Sequence, residues 1–224
     1  MKILVIAAHP DDEVIGCGGT LYKLSKNKGN KIFLSFAADG VFGRGNEKAL
    51  KIRQKESVAV AKLLNAKILN DSFEDYYPFS DQHIDQQDFN IVVSWVKKII
   101  EEVKPEIIYT HHAFDLNRDH QIIAEAVAVA TRPNKYDFIK KIYSFEINMG
   151  SLNQGPIVFN RPFWPNVFEQ IDLNRKIKLL RNYRSEQKYW GNWTKDCETI
   201  ARFRGMGSGY NFAEAFILVR ERND

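Results

Sequence analysis

Cysteine is scarce in this chain: there are two, Cys17 and Cys197, far apart and outside any C-x-x-C spacing. That argues against a disulfide-stapled secreted scaffold and a cysteine-based zinc knuckle, and buried or half-buried thiols are the expectation. Long apolar runs are lacking too. No stretch approaches the ~20 apolar residues that span a bilayer, and the run from Ile3 to Ala8 is too short for a secretory leader and passes straight into polar residues. No membrane insertion is expected, and the expected location is cytoplasmic. Charge of one sign is also modest: 32 basic against 28 acidic residues leave +4. The basic residues interleave with acids, as between Lys48 and Glu56, which reads as solvated helix surface and argues against a nucleic-acid partner. With no repeat and no low-complexity linker in 224 residues, one domain over residues 1–224 is expected.

What is present is a globular composition, 44% hydrophobic and 27% charged. Apolar runs alternate with helical periodicity through residues 1–147. Strands are expected at 2–7, 31–37, 67–70, 106–110 and 141–147, and helices at 12–26, 47–64, 88–103 and 119–131. Ile91, Val92, Trp95, Val96, Ile99 and Ile100 form one face of the third helix. This pattern predicts an α/β fold, a Rossmann-like, mostly parallel sheet with helices on both faces. Residues 148–224 read as a small C-terminal α+β elaboration on the same core. It has turns at 153–156 and 160–165, a strand at 166–171, a helix at 173–189 and a last strand at 213–220. Exposed aromatics there suggest self-association into a homo-oligomer.

The most informative segment is Ala8-His9-Pro10-Asp11-Asp12-Glu13, where the first strand gives way to the first helix. Ligands of open α/β sheets bind at such carboxyl ends. His9 and Asp12 offer the nitrogen and oxygen donors that suit zinc and its first-row neighbours, and Pro10 keeps His9 out of the helical conformation. If Asp12 holds a metal, Asp11 is free to accept a proton from an attacking water. Glu13 reads as structural, an acid in the first helical turn, and helix capping is the competing account of the whole acidic run. Gly16, Gly18 and Gly19 lack the G-x-G-x-x-G spacing and fall within the helix, so close packing on the sheet or on a substrate backbone explains them better than dinucleotide binding.

A hydrolytic metal site needs about three protein ligands and an open position. The second half is expected in Thr110 to His120, which repeats the strand, polar loop and helix start and holds three of the five histidines, His111, His112 and His120. His120 lies in the first turn of its helix. Asp119 is expected either to orient a histidine or to cap that helix.

These residues form a pattern. Ala8 to Glu13 followed by Gly18-Gly19-Thr20 resembles the PIG-L/LmbE family of metal-dependent de-N-acetylases of N-acetylglucosamine-type amino sugars. The resemblance extends to Asp39-Gly40, Arg53-x-x-Glu56 with Leu63-Leu64, and Asp119-His120, and more weakly to Lys176, Leu179, Tyr183 and residues 185–187. It implies His9, Asp12 and His120 as zinc ligands, Asp11 as general base, Arg53 as a substrate-binding residue, and Asp39 and Asp119 as supports. Many members carry His-x-Asp-His where this chain has Asn117-Arg118-Asp119-His120. Asn117 can donate to an oxyanion but cannot deliver a proton; His111 or His112, reaching in from the strand end, is the alternative, and His112 is also a substrate-side residue.

The expectation is therefore a zinc-dependent amidase, other first-row divalent metals being possible, that removes the acetyl group from a small N-acetylated amino sugar or conjugate. Three rivals stand beside it: an amidase of a non-sugar N-acyl metabolite, a non-catalytic nucleotide- or sugar-binding module, and a purely structural metal, which would need a fourth ligand. Specificity is expected in loops 41–46, 73–87 and 148–165, where Phe159, Phe163, Trp164 and Phe168 could stack on a sugar or pack a core.

Overall fold

The computed structural model describes residues 1–41, 47–69, 77–147 and 162–223. The turn at 153–156, Phe159, most of the expected specificity loops 41–46 and 148–165, and residues 73–76 of the loop 73–87 lie outside these residues.

β1 (Lys2–Ala7), β2 (Lys31–Phe36), β3 (Ala66–Ile68), β4 (Ile107–His111) and β5 (Lys141–Phe145) run parallel, each paired in register with its neighbour. With β6 (Val167–Gln170) and β7 (Ala213–Glu221), the sheet order is β3-β2-β1-β4-β5-β7-β6. β7 joins antiparallel to β5, with Phe145 opposite Phe216, and β6 joins antiparallel to β7. The C-terminal elaboration thus continues the sheet, which is α/β and mostly parallel as expected.

β1 shows why the sheet is covered on both faces. Its residues alternate sides: Ile3, Val5 and Ala7 enter one core cluster with Val14, Cys17, Leu21, Val60 and Leu64, and Leu4, Ile6 and Ala8 enter another with Val92, Val96, Ile100, Ile123 and Val127. Helices α3 (Phe89–Val103) and α4 (Arg118–Ala130) therefore cover one side, and α1 (Asp12–Ser25) and α2 (Glu47–Leu63) the other. Asp88 caps α3 by accepting from Asn90 N–H, and Lys104 ends it in the left-handed conformation, φ 51°.

The elaboration departs from expectation in two places. The single helix expected at 173–189 is two, α5 (Leu173–Leu180) and α6 (Arg184–Trp190). The break falls at residues 181–183, and Tyr183, just before α6, has a buried hydroxyl that donates to Glu13 Oε1 at 2.6 Å. A further helix, α7 (Trp193–Ser208), carries no clear sequence signal. Gly205 and Gly207 dilute its propensity, yet a Cβ at Gly205 would sit 2.7 Å from Tyr210 O, so glycine is what lets the returning chain pack there.

The same logic explains the glycines of α1. A Cβ at Gly16 would lie 2.3 Å from the Phe145 ring and one at Gly19 2.8 Å from Ile171, so the helix is pressed against β5 and the elaboration. Its path breaks at Cys17 (φ −144°, ψ 16°). The orphaned N–H groups of Gly19 and Thr20 donate to the Glu214 carboxylate at 2.8 and 2.7 Å, and Lys176 Nζ bonds both Ile15 O and Glu214, each at 2.6 Å. Lys176 and Glu214 are both buried. Replacing one partner of a buried pair leaves the other charge uncompensated, a loss of about 3–5 kcal/mol. Glu214→Ala is accordingly expected to lose that much stability in urea unfolding, and a loss below about 1 kcal/mol would contradict this account of the broken helix.

Candidate metal and catalytic site

The order β3-β2-β1-β4-β5 reverses direction between β1 and β4, and at such a switch point the loops beyond neighbouring strands diverge and leave a crevice. The loop after β1 and the first turn of α1 carry His9 to Glu13, and the loop after β4 carries His112 to Asn117. Because these strands are paired, two motifs about a hundred residues apart meet at one edge.

The first loop is held by its own carboxylates. Asp12 Oδ2 accepts His9 N–H at 2.7 Å. Asp11 takes φ 122°, ψ −31°, a backbone conformation that costs a non-glycine residue about 1–3 kcal/mol and persists only where the surroundings enforce it. Its N–H donates to Glu13 Oε2 at 2.9 Å. Arg53 Nη1 donates to Pro10 O at 2.7 Å and lies 3.4 Å from Asp11 Oδ2.

His120 enters from the first turn of α4. Asn117 caps that helix, its Oδ1 accepting Asp119 N–H at 2.9 Å, and its own N–H donates to Asp115 Oδ1 at 2.9 Å. Asp115 Oδ1 is also 3.1 Å from His120 Nδ1, which turns the opposite nitrogen, Nε2, to within 3.4 Å of Asp12 Oδ1. His9 is arranged likewise. Its Nε2 faces Asp81 Oδ1 at 2.9 Å and Asp119 Oδ2 at 3.2 Å, and its Nδ1 lies 3.5 Å from Asp12 Oδ2. Asp119 is itself fixed by the N–H groups of Gln82 and Ile84, so it orients a histidine while Asn117 does the capping.

Each imidazole therefore spends one nitrogen on a carboxylate and turns the other toward Asp12, the arrangement that outer carboxylates give metal-binding histidines. One donor atom from each of His9, Asp12 and His120 lies within 4.8 Å of the others. His120 Nε2 is buried with no hydrogen-bond partner, a state that costs about 1–3 kcal/mol unless something else occupies the nitrogen. These three residues fit a divalent first-row cation. A second grouping, His9, Asp81 and Asp119, holds the outer carboxylates that orient His9.

The two adjacent aspartates are driven apart electrostatically. Burial opposes charge on Asp12, but the neighbouring imidazoles of His120 and His111 hold its carboxyl well below the usual range. Burial pushes Asp11 up to about 8, with the Arg53 guanidinium working against that and Asp12 with it. Neighbouring titratable groups pushed in opposite directions mark an acid/base assignment.

The remaining expected residues fall at different depths. His111 lies beneath the site: its Nε2 accepts Ala8 N–H at 2.8 Å, its ring stacks on His120 at 4.1 Å, and burial pushes its imidazole down to about 4. His112 packs edge-on against Phe114 and Phe163. Phe163 is buried, whereas Trp164 is 79% exposed. Asp39 is half-buried and accepts Val41 N–H at 2.9 Å. The next residue, Gly40, has φ 68°, and a Cβ there would lie 3.0 Å from that of His9. Arg53 is fully buried and paired through Nη2 with Glu186. Sequence reasoning missed Asp81, which lies in a segment without periodicity and had only His83, two residues on, as a signal, and gave no role to Asp115, whose place five residues before His120 was the available signal.

The profile of the GlcNAc-PI de-N-acetylase (PIG-L) family matches residues 4–131. The chain belongs to this family. It is 27% identical to the diacetylchitobiose deacetylase of Thermococcus kodakarensis, over 97% of this chain and 83% of that one. It is 26% identical to a probable N-acetyl-alpha-D-glucosaminyl L-malate deacetylase 2 of Bacillus cereus, over 82% and 83%. The solved N,N'-diacetylchitobiose deacetylase of Pyrococcus horikoshii superposes with a TM-score of 0.74 at 25% identity, covering 97% of this chain and 83% of that one.

The outer carboxylates give a direct test of the cation fit. In calorimetric Zn²⁺ titrations of the protein, Asp115→Asn is expected to weaken binding about 10–100-fold and His120→Ala to weaken it further. Unchanged affinity in both variants would discount this site.

Proposed function

We propose that this PIG-L family chain is a zinc-dependent hydrolase that removes the acetyl group from an N-acetylated amino sugar or its conjugate. One observation carries the reading: the unpartnered, buried Nε2 of His120 faces Asp12 beside His9, with a separate carboxyl, Asp11, held in a strained backbone next to them. The relatives supply the substrate class, since those named above are deacetylases of diacetylchitobiose or of an N-acetylglucosaminyl conjugate.

In this reading His9, Asp12 and His120 hold the ion, with other first-row divalent metals as substitutes. When bound, it supplies Lewis-acid polarisation of the amide carbonyl and a more acidic water. Asp11 accepts the proton as the water oxygen attacks the acetyl carbon. The same carboxyl returns that proton to the sugar nitrogen as the C–N bond breaks, releasing amine and acetate. A carboxyl poised near neutrality suits both transfers, and burial beside Arg53 provides that poise. Asn117, its oxygen committed to the helix cap, keeps its amide N–H groups as the donor side toward a developing oxyanion. His112 and Phe163 form an edge-on aromatic wall on the substrate side.

A binding module has no use for a strained free carboxyl beside the ligand set, and a structural ion would use four protein ligands, whereas three are grouped around Asp12 among the described residues. The proposed setting is the cytoplasm, in keeping with two buried thiols, neither in a disulfide. No helix among the described residues is long and apolar enough to cross a membrane.

Amine release by zinc-reconstituted protein from N,N'-diacetylchitobiose, N-acetylglucosamine and their conjugates is the test, with chelated protein as control. Asp11→Asn is expected to abolish turnover while zinc stays bound. Wild-type activity in that variant would remove Asp11 as the base, and metal-dependent release from non-sugar amides alone would move the substrate class.

A further inference from the structure

Asp11 has two handles, and both lead to the same turn of the C-terminal elaboration. Its backbone N–H bonds Glu13 Oε2, and the other oxygen of Glu13 accepts the Tyr183 hydroxyl. Its side-chain Oδ2 faces Arg53 Nη1, and the other terminal nitrogen of Arg53 is paired with Glu186. Tyr183 is the residue from which α6 begins, and Glu186 lies in its first turn. Arg53, Tyr183, Glu13 and Glu186 are all at most 2% exposed. The relays are short and buried.

We propose that Tyr183 and Glu186 are positioning residues for Asp11: Tyr183, through Glu13, enforces its strained backbone, and Glu186, through Arg53, aims its carboxylate. This rests on the reading of Asp11 as the base. A second anchor supports it: Glu56, on α2 with Arg53, accepts both Ser185 N–H at 2.9 Å and Ser185 Oγ–H at 2.6 Å. The turn bearing both residues is thereby tied to the helix that carries the guanidinium. Arg53 then acts on the reaction from beneath the loop, which accounts for its lack of exposed surface.

The distinguishing consequence is a split between chemistry and binding. If the relays aim only Asp11, their loss spares the ion ligands and substrate affinity but slows the proton transfer. A misplacement of ~1 Å can cost on the order of 100-fold in rate. The variants are Tyr183→Phe and Glu186→Gln, each removing a bond with little change of shape, and Glu198→Gln, whose side chain pairs with Arg202 on the outer face of α7, as control. Expected for the first two are kcat lowered by roughly 10–100-fold, KM and calorimetric Zn²⁺ affinity within about twofold of the parent, and partial recovery in Glu186→Asp. Crystal structures of both are expected to show Asp11 relaxed from its positive φ or its carboxylate displaced, with His9, Asp12 and His120 in place.

Unchanged kcat in an active parent background overturns the proposal, as does an equal loss of zinc affinity. A parent that releases no amine from any substrate tried counts against the deacetylase reading alone. In that case the crystal structures still decide, and an unmoved Asp11 in both variants overturns the positioning role.

Discussion

The arrangement of this molecule depends on keeping many carboxylates buried at one end of a sheet. Asp11, Asp12, Glu13, Asp81, Asp115 and Asp119 are all at most 9% exposed, as are Glu56 and Glu186 behind them. The guanidinium of Arg53 is a fixed cation beside Asp11, Glu56 and Glu186. An unpaired buried charge costs far more than any single contact returns, so each carboxylate must be answered by donors. Backbone amides of the carboxyl-end loops answer most of them: His9 to Asp12, Asp11 to Glu13, Gln82 and Ile84 to Asp119, Asn117 to Asp115, and Ser185 to Glu56. Asp12 is answered incompletely, by one amide and three imidazole nitrogens, His111 Nε2, His120 Nε2 and His9 Nδ1, whose approach at 3.3, 3.4 and 3.5 Å is too long for good hydrogen bonds. A divalent cation is the partner that such a residue of negative charge and nitrogen lone pairs calls for.

The division of labour between Asp11 and Asp12 follows from the same accounting. They are adjacent in sequence, yet the turn sends one carboxyl to the imidazoles and the other to a guanidinium. Asp12, surrounded by His9, His111 and His120, stays ionised, while burial raises Asp11 toward neutrality against the pull of Arg53. Two identical side chains thus acquire different proton affinities because one backbone angle, φ 122° at Asp11, separates their environments.

Much of this could be read from the residues. The alternation of strands and helices placed β1 to β5 within a residue or two for most ends, because periodicity is strong where an element packs on a two-sided core, as at Val92, Val96, Ile99 and Ile100. His9, Asp12 and His120 stood out because each sits at a strand-to-helix junction, and the topology brings those junctions together. What could not be read were contacts made across the sheet by residues without local pattern. Asp81 precedes a single turn of 3-10 helix; Glu214 sits in an ordinary strand; Tyr183 and Glu186, though within the family resemblance, lie in a segment whose periodicity suggested one continuous helix and gave no partner for either. Helix α7 was invisible because its glycines suit a crossing with the returning chain and work against helix propensity.

Those unread contacts change what the C-terminal elaboration is. As an addition to a finished Rossmann-like core it would need only an apolar seam, and Phe145 against Phe216 would suffice. Instead it supplies polar groups that the core lacks. Glu214 and Lys176 satisfy the amides and carbonyl exposed by the break in α1 at Cys17, and Tyr183 and Glu186 complete the shells of Glu13 and Arg53. The break is what frees the first turn of α1, carrying Asp12 and Glu13, from the direction imposed on the rest of the helix by Gly16 and Gly19 against Phe145 and Ile171. A continuous helix could satisfy its own amides but would tie the aim of Asp12 to the packing of Gly19. Separating the two requires buried donors and acceptors from elsewhere, and in this fold the strand and helices after the parallel sheet are where they come from.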